Sequence, residues 1–222
     1  MGLQHLDELN GKWQINIWQR AQDIQMLLNH FSSQPFAKSA DLNRIGMAGF
    51  SIGGTTAIWL AGGKSTRLDK FAPTSDDAYP EEFKGVEAAI DTLDKEKMSQ
   101  NWKDKRIKAI FLMAPAWGWI FNQNDLQAIS IPTYIVASNA DQVLVTRNNA
   151  DFFCKNIPHS ICQTIPGGAG HYIFISEPIE KNKLSPNLSF LIKDNPNVDR
   201  KWIQYEVAEN AINFFDSTIS RR

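Results

Sequence analysis

The chain has 222 residues, 43% hydrophobic and 21% charged, with 23 basic against 24 acidic side chains and a net charge of -1. These values describe one globular domain spanning residues 1–222 and exclude a disordered, collagenous or coiled-coil chain. So small a net charge supplies no field to draw nucleic acid, and no apolar run approaches the roughly 20 residues of a membrane helix.

Met1 to Leu9 has neither the basic start nor the apolar stretch of an export signal. As written the chain is expected in the cytoplasm; an exported form would need a segment ahead of Met1. Cys154 and Cys162 make no disulfide framework and lack metal spacing, and the four histidines include no HxxxH pair. No structural metal is expected.

In chain order, Trp18, Ala21, Ile24, Leu27, Leu28 and Phe31 recur at helical spacing and predict an amphipathic helix over 15–31. Residues 32–41 read as a linker. Arg44 to Phe50 is a short apolar run of the kind that a parallel strand covered on both faces shows, and small, helix-permissive residues follow from Ile52 to Ala61. The charged segment 63–105 reads as an insertion or cap, with helical spacing only from about Gly85 to Trp102. Ile107 to Ala114 and Pro132 to Ser138 repeat the buried-strand pattern, with a short helix over 122–129 between them. A helix over 146–156 and a strand over 160–165 follow. After the Pro- and Asn-rich stretch 177–198, Trp202, Tyr205, Ala208, Ile212 and Phe215 mark a closing helix with Asp199 as its N-cap. Strands alternate with helices, which predicts an α/β layered domain around a parallel sheet.

Gly49-Phe50-Ser51-Ile52-Gly53 fits G-x-S-x-G, the turn that lifts a serine hydroxyl off the end of a strand. The serine stands between a strand pattern and a helix pattern, the context that chemistry requires. A phosphate-cradling turn is the competing reading, but the phosphate-loop lysine and the dinucleotide spacing are both missing. Serine is a weak nucleophile at neutral pH, so a base must take its proton and an acid must orient that base. In parallel sheets reacting groups collect at the carboxyl ends of strands. His171, in Gly167-Gly168-Ala169-Gly170-His171, follows the 160–165 strand, and Asp141, in Ser138-Asn139-Ala140-Asp141, follows the 132–138 strand. His5, His30 and His159 fall at a terminus, a helix end and the amino end of a strand. Asp125 and Asp151 are acidic alternatives that lie in helix patterns. The oxyanion formed on attack needs backbone donors; one is expected from Ile52, directly after the nucleophile, and no loop for a second is found. Trp117, Trp119 and Phe121, beyond the strand ending at Ala114, line a substrate pocket or pack the core.

These residues resemble the α/β-hydrolase superfamily, and within it the predicted dienelactone hydrolase and platelet-activating-factor acetylhydrolase-like esterases. The likeness rests on Arg44 to Gly54, Ala114-Pro115-Ala116, Ser138 to Asp141, Pro166 to Phe174 and the terminal helix from Asp199 to Phe215. It implies a three-layer fold, the order Ser51, Asp141, His171 for a catalytic triad, no metal or organic cofactor, and a small or short-chain carboxylic ester as substrate. The best-known dienelactone hydrolases use cysteine where this chain has Ser51, so lactone cleavage does not carry over. Family members also begin with several strands and a His-Gly-type loop that supplies the second oxyanion donor, whereas this chain starts at the helix before the nucleophile strand. An N-terminally truncated sheet is therefore expected, with an uncovered edge that would favour homo-oligomers. A catalytically weak or inactive hydrolase serving as a binding module is the alternative, and thioester or peptide cleavage a third.

Overall fold

The computed structural model describes residues 16–68, 92–177 and 193–219. Four strands, β1 (Ile45–Phe50), β2 (Ile107–Met113), β3 (Thr133–Ser138) and β4 (Ile161–Ile165), form one sheet in the order β1-β2-β3-β4. Every neighbouring pair is parallel. The helices are α1 (Gln19–Ser32), α2 (Ile52–Ala61), α3 (Lys95–Ser99), α4 (Gln123–Gln127), α5 (Ala150–Asn156) and α6 (Arg200–Ile219).

The strands separate two cores because side chains alternate across a pleated sheet. On β2, Ile110 and Leu112 face one core, built with α2, α4 and α5, and Ala109 and Phe111 face the other, built with α6. Ile135 and Ala137 of β3 face the first core and Val136 the second. Burial on both faces explains why these strands read as continuous apolar runs. The architecture is three-layer α/β around a parallel sheet, as the sequence predicts. Among the described residues β1 pairs on one side only, and Ala48 is exposed.

Several boundaries differ from the sequence reading. The helix expected over 146–156 is broken into a 3-10 turn at Thr146–Asn148 and α5, with Asn149 at φ -127°, ψ -99° between them. Its side chain is engaged elsewhere: Oδ1 accepts the Gly118 N–H at 3.1 Å, and Nδ2 donates to the Val145 carbonyl at 2.9 Å. The 32–41 linker contains a 3-10 turn at Pro35–Ser39. Of the expected cap at 63–105, residues 69–91 lie outside the described residues; α3 falls inside the predicted helical stretch, its first turn capped by the Asp94 side chain, which accepts the Lys97 N–H. At α6, Asp199 acts as the predicted cap, its Oδ1 accepting the Trp202 N–H at 3.0 Å.

One expectation is corrected. Cys154 and Cys162, read as forming no disulfide framework, are joined in a disulfide with Cα atoms 6.1 Å apart. The short turn between α5 and β4 reverses the chain, so the last turn of the helix meets the start of the strand.

Candidate active site

The site is built at the carboxyl ends of the strands. Ser51 occupies the junction of β1 and α2 with φ 52°, ψ -120°, a conformation that non-glycine residues seldom adopt. Hydrogen bonds from β2 and the segment after it hold it there. The Ser51 N–H donates to the Met113 carbonyl at 2.9 Å, and the Ser51 carbonyl accepts the Gly54 N–H at 2.9 Å and the Ala116 N–H at 3.1 Å. Thr55 Oγ1 donates to the Ala116 carbonyl at 2.7 Å, tying α2 to the same segment. Ala114 (φ 41°) and Trp117 (φ 63°) share this segment. Of the four non-glycine residues with positive φ among those described, three are therefore the serine itself and two residues of the segment bonded to it. Such strain costs about 1–3 kcal/mol per residue and persists where surrounding structure over-determines it.

The glycines of the turn are not equivalent. A Cβ on Gly49 would stand 2.3 Å from the Gly53 carbonyl oxygen, and one on Gly54 would stand 2.8 Å from Pro115 Cβ. A Cβ on Gly53 would meet nothing within 4 Å. Close approach, then, requires the first glycine of the motif and the residue after its last glycine.

His171 begins a 3-10 turn, His171–Phe174, reached from β4 through Gly167 (φ 85°) and Gly168 (φ 83°). Its Nε2 lies 3.1 Å from Ser51 Oγ, and its Nδ1 lies 2.7 Å from Asp141 Oδ2. The side chains of His171 and Asp141 are only 2% and 1% exposed. The other carboxylate oxygen, Asp141 Oδ1, accepts the N–H groups of Val143 at 2.8 Å and Leu144 at 2.7 Å. Both oxygens are thus fixed, and the one facing the imidazole favours the tautomer protonated at Nδ1, leaving Nε2 free to accept the serine proton. Phe50 packs on the imidazole with ring centroids 4.8 Å apart. The structure brings Ser51, Asp141 and His171 together from the ends of β1, β3 and β4.

The segment carrying the histidine is anchored on both sides. Upstream, Ser138 Oγ donates to the Gly170 carbonyl at 3.2 Å and Gln142 Oε1 accepts the His171 N–H at 3.1 Å. Downstream, the buried Arg200 donates to the carbonyls of Tyr172 at 2.7 Å and Ile175 at 2.6 Å while pairing with Asp194 at 2.7 Å. Gln204 Nε2 donates to the carbonyls of Ile173 and Ile175, each at 2.8 Å. None of these anchors carries a sequence signal of its own. Ser138 ends β3 and Gln142 directly follows Asp141, so nearness to Asp141 in the chain is the only hint a reader of the sequence has.

Ile52 is the first residue of α2, where N–H groups have no acceptor within the helix and point out of its amino end. Trp117 is 1% exposed and sits in the larger core with Phe121, so both pack the interior; Trp119 is half-buried, its ring 5.6 Å from that of Trp117. The acidic alternatives lie apart from the imidazole. Asp125 accepts the Asn122 N–H at 2.8 Å in the capping box of α4 and also pairs with Thr66, and Asp151 is exposed in the first turn of α5. His30 and His159 are exposed, and His5 lies outside the described residues. Among the described residues, no group of three His, Cys, Asp or Glu side chains gathers to hold a metal ion, and no helix is long and apolar enough to cross a membrane.

No protein-family model matches this chain, and no curated protein does. Among solved structures, a protein described as a predicted CIB-like hydrolase from Thermoplasma acidophilum is similar at 18% identity and a TM-score of 0.40. The match covers 73% of this chain and 54% of that one, so the chain spans about half the length of the structure it resembles.

Proposed function

We propose that this chain is a serine hydrolase that cleaves a small or short-chain carboxylic ester through an acyl-enzyme. The observation that supports the reading is the continuous relay from Ser51 Oγ through His171 to Asp141, at 3.1 Å and 2.7 Å. His171 Nε2 takes the hydroxyl proton as Ser51 Oγ bonds to the ester carbonyl carbon. The resulting oxyanion accepts the Ile52 N–H, a donor worth about 3–4 kcal/mol in such a site. Collapse breaks the carbon–oxygen bond to the alcohol, which leaves with the proton held by the imidazolium. Water, deprotonated by the same imidazole, then attacks the acyl-enzyme and restores the free serine. Asp141 stays ionised throughout and stabilises the imidazolium. No step uses a metal or an organic cofactor. Of the two tryptophans expected at the pocket, we assign substrate contact to Trp119, since Trp117 is enclosed by the core.

The test is hydrolysis of an activated short-chain ester by the native chain and by Ser51→Ala. We expect a burst and turnover in the native chain and neither in the variant. Equal rates in the two would overturn the reading. Parallel thioester and amide substrates separate the ester reading from the other serine-triad reactions, which share the mechanism and differ in leaving group.

A further inference from the structure

We infer that Gln142 is a positioning residue for the catalytic imidazole, an inference that rests on the serine-hydrolase reading above. Asp141 and Gln142 are consecutive, and they grip the same residue at two points. Asp141 Oδ2 holds the ring of His171 at Nδ1, 2.7 Å away, while Gln142 Oε1 accepts the His171 backbone N–H at 3.1 Å. A ring held by one bond can pivot about it; a second bond to the backbone of the same residue fixes where the Cα stands and therefore where Nε2 points.

Two details show that the second grip is built into the loop. Gly168 and Gly167, with φ 83° and 85°, let the chain turn into the histidine. His171 is the first residue of its 3-10 turn, so its N–H has no acceptor within that turn, and Gln142 supplies one. Gly170 is the other detail. Its backbone, at φ -91°, ψ -176°, is open to any residue, yet a Cβ there would stand 2.5 Å from Gln142 Oε1. The absence of a side chain at 170 is what admits the amide of residue 142. Gln142 is exposed apart from this contact, so its side chain contributes little to the core.

The two positions make a paired test. Gln142→Ala removes the acceptor, and Gly170→Ala displaces it by pushing on the flexible end of the side chain. Each is expected to lower kcat by roughly 10- to 100-fold, the cost of losing one hydrogen bond and of a reacting group misplaced by up to about 1 Å, with KM little changed. The double variant is expected to lose no more than either single one, since both break the same contact. Gln142→Glu keeps an acceptor oxygen and is expected to restore most of the rate. Independently of activity, the His171 backbone N–H is expected to exchange with solvent faster in Gln142→Ala, with the thermal midpoint close to native. Additive losses from the two alanines, or a Gln142→Ala protein with native kcat and native exchange at His171, overturn the positioning role while leaving the triad intact. A native chain with no Ser51-dependent turnover overturns the role and the reading together.

Discussion

Replacing Asp141 with asparagine changes one atom in the relay and reverses the proton arrangement it imposes. Asp141 Oδ1 sits under two backbone N–H donors, Val143 at 2.8 Å and Leu144 at 2.7 Å, in a side chain 1% exposed. An asparagine must seat its single oxygen there, because the opposite orientation would set an NH2 against two donors and leave each unsatisfied at about 1–3 kcal/mol. Its NH2 then faces His171 Nδ1, which becomes an acceptor and moves the ring proton to Nε2. The imidazole now offers Ser51 a donor where the reaction needs a base. The expected loss in kcat is about 10⁴-fold, the size that a wrong tautomer produces in serine triads, or about 5.5 kcal/mol on the barrier. Steady-state hydrolysis of an activated ester measures it, with thermal unfolding as the control, since the two side chains have the same shape. A loss below about tenfold in a folded protein would show that Asp141 does not set the tautomer.

The glycines of the serine turn should part company. Gly49→Ala drives a Cβ into the Gly53 carbonyl and is expected to destabilise by about 1–3 kcal/mol and to disturb Ser51, whereas Gly53→Ala meets open space near the start of α2 and should be neutral or stabilising by up to about 1 kcal/mol. Denaturant titration of both variants checks this, and equal effects would refute it. Asp104 should give a pH-dependent contribution. Hydrogen bonds from the Arg106 guanidinium hold its carboxyl below the ordinary range, against the upward pull of burial. A lowered folded-state pKa adds stability that is present above the unfolded value of about 4 and is lost as pH falls through the lower folded value. Asp104→Asn is therefore expected to be about 1–3 kcal/mol less stable at neutral pH, with the gap closing in acid below about pH 4. A gap of constant size from neutral pH to pH 3 would contradict the assignment.

Much of this arrangement is legible in the sequence for a physical reason. Ser51, Asp141 and His171 each follow a strand pattern, and parallel strands deliver their carboxyl ends to one rim, so chain order alone brings the three near one another. Ile107 to Met113 and Thr133 to Ser138 declare themselves as strands because both of their faces are buried. What stays hidden depends on contacts between distant segments. Asn149 interrupts a helical pattern because its side chain reaches Gly118, and nothing local to residue 149 announces that. Cys154 and Cys162 meet only once the turn between helix and strand is known. The motif glycine at 53 looks as necessary as the one at 49, and only the approach of the Pro115 segment shows that Gly54 carries the second steric demand. Likewise nothing local to Arg200 at the start of α6 announces that it is buried and holds the carbonyls beyond His171.

The central claim is that the Ser51 hydroxyl is an activated nucleophile. Treating the folded chain with a fluorophosphonate and mapping the adduct by mass spectrometry tests it without assuming a substrate. One covalent adduct on Ser51, lost in Ser51→Ala and strongly slowed in His171→Ala, is the predicted result. A folded native chain that takes up no label at Ser51 would contradict it.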